Sequence, residues 1–300
     1  MRVDPSYVNN IVGSLDQSQL TEQQLTAELS SGVRVNSLSQ DPQAAGQNVL
    51  LLNQMQQDDS FTQSSNLVTG QLQVSDSAQG QVVAQLTQAV SLATSANNGT
   101  MNSSDRQSIA NQIAGIRSEV LSLANSSYQG QYIFAGGQTT SSPFALSTAA
   151  SPATVTYTGD QGVNYLQTPN GQKIQLNVPG DQVFNGSGAN SVFAALNNLV
   201  ADYSSGVVDT AQAVKDSQAL SGALNYVSQQ RVSLDNSITQ LTAATDAVGS
   251  EQTHLVAAQT NLMQADVATV AIQLALAKAQ QAALQSVIAQ LGSGSLFDKL

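Results

Sequence analysis

Few residues in this 300-residue chain are of a type that could do chemistry. The single histidine, His254, lies among Glu251, Gln252 and Leu255. A general base there would need a poised partner and a cleft, and a metal would need further ligands at workable spacing. It reads as a solvated or seam-edge residue of a long helix. Asp58-Asp59 and Asp181 could serve as an acid-base pair but read as surface or turn carboxylates. Gly136-Gly137 lack the Lys-Ser/Thr ending of a phosphate loop and the dinucleotide fingerprint, so a turn is expected. The absence of cysteine removes thiol nucleophiles, Cys-rich zinc sites and disulfide frameworks. Asn98-Gly99-Thr100 and Asn125-Ser126-Ser127 match the N-glycosylation pattern, which is short and common. No catalytic residue, cofactor or metal is expected, and an enzyme such as a carboxylate hydrolase is the least favoured class.

Charge narrows the partners. Nine Lys and Arg against twenty Asp and Glu give a net charge of −11, and scattered basic residues provide no patch for displacing phosphate counterions, so nucleic acid is excluded. Arg34 and Arg231 stand out because cations are scarce: each is either solvent-exposed or paired across a subunit contact. No run of about 18 uninterrupted apolar residues marks a membrane span, and Met1-Arg2-Val3-Asp4-Pro5-Ser6 lacks the apolar run of a secretory signal. Membrane insertion is therefore not expected, and export would take another route.

What remains is a scaffold, and its pattern is the strongest signal in the chain. Leu220, Leu224, Val227, Leu234, Ile238, Leu241, Val248, Leu255 and Leu262 fall on a strict alternation of four and three residues, with polar Arg231, Thr245, Gln252 and Gln259 at the skipped positions. This is a coiled-coil type seam. The seam shifts frame near Leu262-Met263 and continues through Met263, Val267, Val270, Leu274, Ala277, Leu284, Ile288 and Leu291. Read as a stutter, the shift leaves one final arm from about Asp216 to Leu291, on the order of 100 Å long. Near the other end, Val8, Ile11, Leu15, Leu25 and Leu29 mark a weaker stripe, with Ser18 and Glu22 filling intermediate positions and Ser30-Ser31-Gly32 as the stop. Asp41-Pro42 opens a second helix through Val49, Leu52, Met55, Leu67, Val74, Val82, Leu86 and Val90, with Gly70 and Gly80 as weak points. Asn97-Asn98-Gly99-Thr100 closes it. Ser104-Asp105-Arg106-Gln107 opens a third with a capping-box pattern, carried by Ile109, Ile113, Ile116, Val120 and Leu123. Between the helical arms, Thr154 to Thr158, Val163 to Gln167 and Ile174 to Val178 alternate as strands, with a hairpin at Asn170-Gly171. Asn190 to Tyr203 returns to helical spacing.

Leu29-Ser30-Ser31-Gly32-Val33-Arg34-Val35-Asn36-Ser37 with Asp41-Pro42-Gln43-Ala44-Ala45-Gly46 resembles the N-terminal signature of flagellins and their junction relatives. Gln230 to Ile238, Ala265-Asp266-Val267-Ala268-Thr269 and Ala279 to Leu284 are similar to the C-terminal arm of the same superfamily. Tyr132-Ile133-Phe134-Ala135-Gly136-Gly137-Gln138-Thr139, Gly180-Asp181-Gln182-Val183-Phe184, the ending Gly294 to Leu300, and Pro42 in place of the flagellin Asp-Ala wording resemble the hook-associated protein 3 family of the hook-filament junction. That resemblance implies a mainly α, flagellin-like rod of long terminal helices with a small inserted β-rich outer domain. The expected divisions are 1–40 with 264–300 as terminal assembly helices, 41–140 with 207–263 as the helical rod, and 141–206 as the outer domain. It also implies a structural adaptor in a ring-like homo-oligomer of the extracellular flagellum, exported without a cleaved signal peptide. The implied partners are hook-associated protein 1, flagellin and an export chaperone. Filament flagellin and a type III export-system translocator are the alternatives. On any of the assembly readings the interface is expected at Val8, Ile11, Leu15, Leu25, Leu29, Arg34, Arg231, Leu274, Leu284, Ile288 and Leu291.

Overall fold

Proline in the first turn and glycine just past the last delimit the first helix, α1 (Pro5–Ser31). Gly32 adopts a φ of 69° and its N–H donates to the Glu28 carbonyl at 2.9 Å, the left-handed stop that glycine adopts without a Cβ penalty. The computed structural model of the chain describes residues 5–97, 101–149, 152–186, 191–205 and 209–293, with side-chain environments from Asn9 to Gln290. The remaining elements are α2 (Pro42–Ala96), α3 (Ser103–Ala124), β1 (Ser127–Tyr128), β2 (Gln131–Tyr132), β3 (Phe144–Ser147), β4 (Thr154–Tyr157), β5 (Tyr165–Gln167), β6 (Lys173–Gln175), α4 (Val192–Ser204), α5 (Thr210–Met263) and α6 (Val267–Ser293). The mainly helical fold with a few small strands is the one expected from the sequence. Its contacts divide it into two units, residues 1–57 with 250–300, and residues 58–249.

In the larger unit, α2 buries Phe61, Ser65, Val68, Leu72, Ser75, Gln79, Val82, Leu86, Ala89, Ala93 and Ala96, a regular alternation of threes and fours. Val49, Leu52 and Leu67, which the sequence places on the same helix face, are exposed instead. Polar residues occupy several inward positions while large apolar ones point out, so apolarity alone selects the wrong frame. Neither internal glycine breaks the helix. A Cβ at Gly70 would collide with the Tyr128 hydroxyl, and one at Gly80 would stand 3.3 Å from Cζ of Arg231, so both are places where a side chain crosses the helix closely. On α3, Ile109, Ile113, Ile116 and Val120 are buried as their spacing predicts. Its N-cap is Asn102, whose side chain accepts from the Asp105 N–H at 2.8 Å, two residues before the expected box. The proposed closing turn Asn98-Gly99-Thr100 lies outside the described residues.

Three two-stranded antiparallel hairpins decorate this unit. The Asn170-Gly171 hairpin is present, with Gln167 opposite Lys173 and Gly171 at a φ of 89°. Strands β1 and β3 carry too little alternation to be read from sequence, whereas the apolar run from Tyr132 marks β2. Phe144 of β3 joins Phe134, Tyr157, Phe184 and Phe193 in a nest of rings with centroids 5.1 to 6.1 Å apart, which pins the β3–β4 hairpin and α4 to the helices.

In the smaller unit α1 and α6 run antiparallel, sharing a core of Leu25, Ala265, Val270 and Ala277 with Leu29 and Leu274 packed against it. The final arm is not one helix with a stutter. It ends at Met263 and restarts at Val267, because Asp266 caps α6: its carboxylate accepts the Ala268 and Thr269 N–H groups at 3.0 and 3.3 Å and the Thr269 hydroxyl at 2.7 Å.

Candidate assembly surface

The α1–α6 seam uses one narrow stripe of each helix. On α1 it runs through Ile11, Leu15, Ser18, Glu22, Leu25 and Leu29, the set expected from spacing, with Leu25 buried and the others half-buried. On α6 it runs through Val270, Leu274, Ala277, Leu284 and Ile288. Val267, expected in this seam, is exposed because the helix begins there. The side chains of Val8 and Leu291 lie outside the described residues.

A single stripe cannot cover α6, whose apolar residues surround the helix. Ile272 is 63% exposed and Leu276 59%, and Val287 also faces out, as do Val12 and Leu20 on α1. One flank of the pair opens into a groove of about 850 Å³ lined by Asn9, Gly13 and Gln17 on one side and Ala277, Gln280 and Leu284 on the other. A second bare patch lies at the start of α2, where Val49, Leu50 and Leu52 are exposed, Leu50 at 69%. Covering each such side chain is worth roughly 1.5 to 3 kcal/mol, and runs of exposed apolar residues are the mark of an interaction surface. By length and composition alone, Val267–Gln290 could also cross a membrane, with a mean hydropathy of 1.2. Its seam against α1 supplies a helical partner instead.

At the base of the pair, the stop after α1 and the break before α6 lie side by side. The Arg34 N–H donates to the Met263 carbonyl at 2.7 Å, the Ala265 N–H donates to the Gly32 carbonyl at 2.9 Å, and Val33 bridges Gln264. The Arg34 guanidinium then joins two helix ends: Nη1 meets the Asp41 carboxylate at 3.1 Å and Nη2 donates to the Leu262 carbonyl at 3.1 Å. Asp41 in turn caps α2 by accepting the Ala44 N–H at 3.0 Å. The Ala44 N–H, and next the Arg34 guanidinium, hold the Asp41 carboxyl below its ordinary value. Asp266 is likewise held down, first by the Thr269 hydroxyl and then by the Thr269 and Ala268 N–H groups. A cation at a helix C-terminus and carboxylates at helix N-termini complement both macrodipoles.

Arg231 pairs within the chain as well, with Nε 2.6 Å and Nη2 3.1 Å from the two oxygens of Asp76. The structure thus gathers Ile11, Leu15, Leu25, Leu29, Leu274, Leu284 and Ile288 into one seam and Arg34 at its base, while Arg231 belongs to the larger unit. Sequence reasoning missed Asp266 and Asp76. An Asp-x-x-Thr phrase ahead of an apolar stretch was the available signal for Asp266, whereas nothing local marks Asp76 as the partner of a residue 155 positions away.

Of the residues of reactive type, Asp58 is buried within α2 rather than at the surface or in a turn as expected, whereas Asp59 is exposed on the same helix. His254 is exposed on α5. Asp181 accepts from Gln161 at 2.6 Å and Asn185 at 2.8 Å. Among the described residues no group of three or more His, Cys, Asp or Glu could hold a metal.

Residues 7–139 match the N-terminal helical region of bacterial flagellins. Over 272 residues the chain is 29% identical to flagellar hook-associated protein 3 of Salmonella typhimurium, covering 82% of each. Among solved structures, it is similar to flagellar hook-associated protein-3 of Legionella pneumophila, with a TM-score of 0.63, 13% identity, and 71% and 98% of the two chains covered. It is also similar to the flagellar junction protein FlgL of the same organism, with a TM-score of 0.59, 13% identity, and 72% and 99% covered. The structural likeness establishes the fold.

Proposed function

We propose that this chain, a flagellin-like protein of the hook-associated protein 3 family, is a structural adaptor that joins the hook-associated region of the bacterial flagellum to the flagellin filament. The observation that carries this reading is the unpaired apolar surface of α6 and its neighbours, which no segment described here covers. Two helical lattices of related subunits can be joined by a subunit that presents the same kind of terminal helix pair to each. On this reading residues 1–40 and 264–300 pack in an inner tube, residues 41–140 and 207–263 form the shell around it, and residues 141–206 face outward. The partners are copies of the chain in a ring, hook-associated protein 1 on one side and flagellin on the other, with an export chaperone beforehand. The chain acts outside the cell and performs no catalysis.

The free face and the paired face of α6 make different predictions. In a strain lacking the native protein, an Ile272→Asp, Leu276→Asp chain should keep the melting curve of the wild type, because neither side chain is buried. It should fail to restore swimming, with flagellin lost to the medium. Normal filaments from that variant would contradict the reading. The alternative, filament flagellin, draws on the match over residues 7–139, but the relative aligned over four-fifths of the chain is a hook-associated protein.

A further inference from the structure

The core of the larger unit is interrupted at one level. On the buried stripe of α2, Leu72 and Val82 are separated by Ser75 and Gln79, with only the small apolar side chain of Ala78 buried between them. On α5, Val227 and Leu234 are separated by Gln230 and Arg231. The Asp76–Arg231 pair places these two gaps opposite each other. The apolar residues accordingly fall into two clusters. One contains Phe61, Val68, Leu72, Leu234, Leu241 and Val248 under the β5–β6 hairpin. The other contains the remainder of α2 from Ala78 with α3, α4, the aromatic nest and α5 up to Val227. Gln79 has no exposed surface, and neither its Oε1 nor its Nε2 meets a hydrogen-bond partner among the described residues. The ion pair closes one edge of the layer over Gly80. Along another flank of α2, at the same level, a groove of about 490 Å³ opens between Val74, Ser77, Leu123 and Tyr128.

We propose that this layer is a plane of weakness that divides residues 58–249 into two regions opening independently, joined by the continuous backbones of α2 and α5 and by the two chain segments that lead into and out of the β5–β6 hairpin. Cooperativity between regions of a fold passes through packed apolar contacts, and local opening follows their absence. A buried amide without a partner is destabilising wherever it stands; placed between two apolar clusters, it also uncouples them. The device would let one half of the unit twist against the other while each keeps its core. It belongs to the isolated subunit and stands or falls separately from the junction reading.

Amide hydrogen exchange of the full-length chain in increasing urea tests it. In the wild type, helix amides of 80–96 and 212–227 should show one protection level and urea dependence and those of 60–72 and 234–248 another, differing by about tenfold or more. Gln79→Leu should bring the two sets together and slow the faster one, and Ser75→Ala should move them the same way by less. Leu72→Ala, a change inside one cluster only, should speed exchange in 60–72 and 234–248 and leave the other set alone. A single common urea dependence in the wild type, or loss of protection on both sides in Leu72→Ala, would overturn the proposal.

Discussion

Asp202 carries a carboxyl pushed up to about 6, first by burial, then by the hydrogen bond and charge of Asp216 and the charge of Asp209. Its unfolded value is about 3.9. Because the folded chain holds the proton more tightly, this group favours folding below about pH 4, and the contribution is lost as pH rises through 6. Asp202→Asn should therefore stabilise the chain at pH 7 by about 1 kcal/mol after allowance for solvent screening. Near pH 4 it should bring no gain, as urea melts at the two pH values would show. The caps at Asp41 and Asp266 have the opposite sign. Their folded values are depressed, so their contribution is present above about pH 4 and lost as pH falls through those depressed values. Acidification from pH 5 to 3 should loosen the first turns of α2 and α6. The protection factors of the Ala268 and Thr269 amides, taken relative to the intrinsic exchange rate at each pH, should fall there, and Asp266→Ala should show that lower protection already at pH 7; unchanged protection in that variant would remove the capping role.

Among elements, the α1–α6 pair is the part most dependent on company. A two-helix pair with one stripe each gains little from intrinsic helix propensity and depends on packing. Leu284→Asp should therefore leave the melting of residues 58–249 within about 0.5 kcal/mol of the wild type while abolishing assembly into flagella, and intact filaments from this variant would refute the account of the pair. The spacing of Ile11, Leu15 and Leu25, of Ile109 to Val120, and of Leu220 to Val248 was enough to place these helices and their inward faces, because these named positions are apolar and face inward, although the α1 seam also takes in Ser18, Glu22 and the buried Glu28. Residues 42–96 were harder. Asn48, Ser65, Ser75 and Gln79 sit on the inward side and Val49, Leu50, Leu52 and Leu67 on the outward one. The pattern that reads as a core is in part a surface. The break at Gln264 was legible as a frame shift but not as a helix end, since its cause is a cap and a bridge to the distant Val33 of the same chain rather than a glycine or proline.

At the scale of the whole molecule, the chain invests its apolar residues in long stripes and leaves α6 and the start of α2 bare, while Asp41 and Asp266 cap helices and Arg34 and Arg231 pair with carboxylates. That allocation suits a subunit completed by its neighbours better than a catalyst built around a pocket. Which neighbours is the substance of the junction reading, and position along the flagellum decides it. Immunogold electron microscopy of intact flagella, with antibody raised to Thr154 to Gly186, would measure that position directly. The account predicts label confined to a short zone beside the hook. Label along the whole filament would make the chain a flagellin, and flagella without label would contradict both.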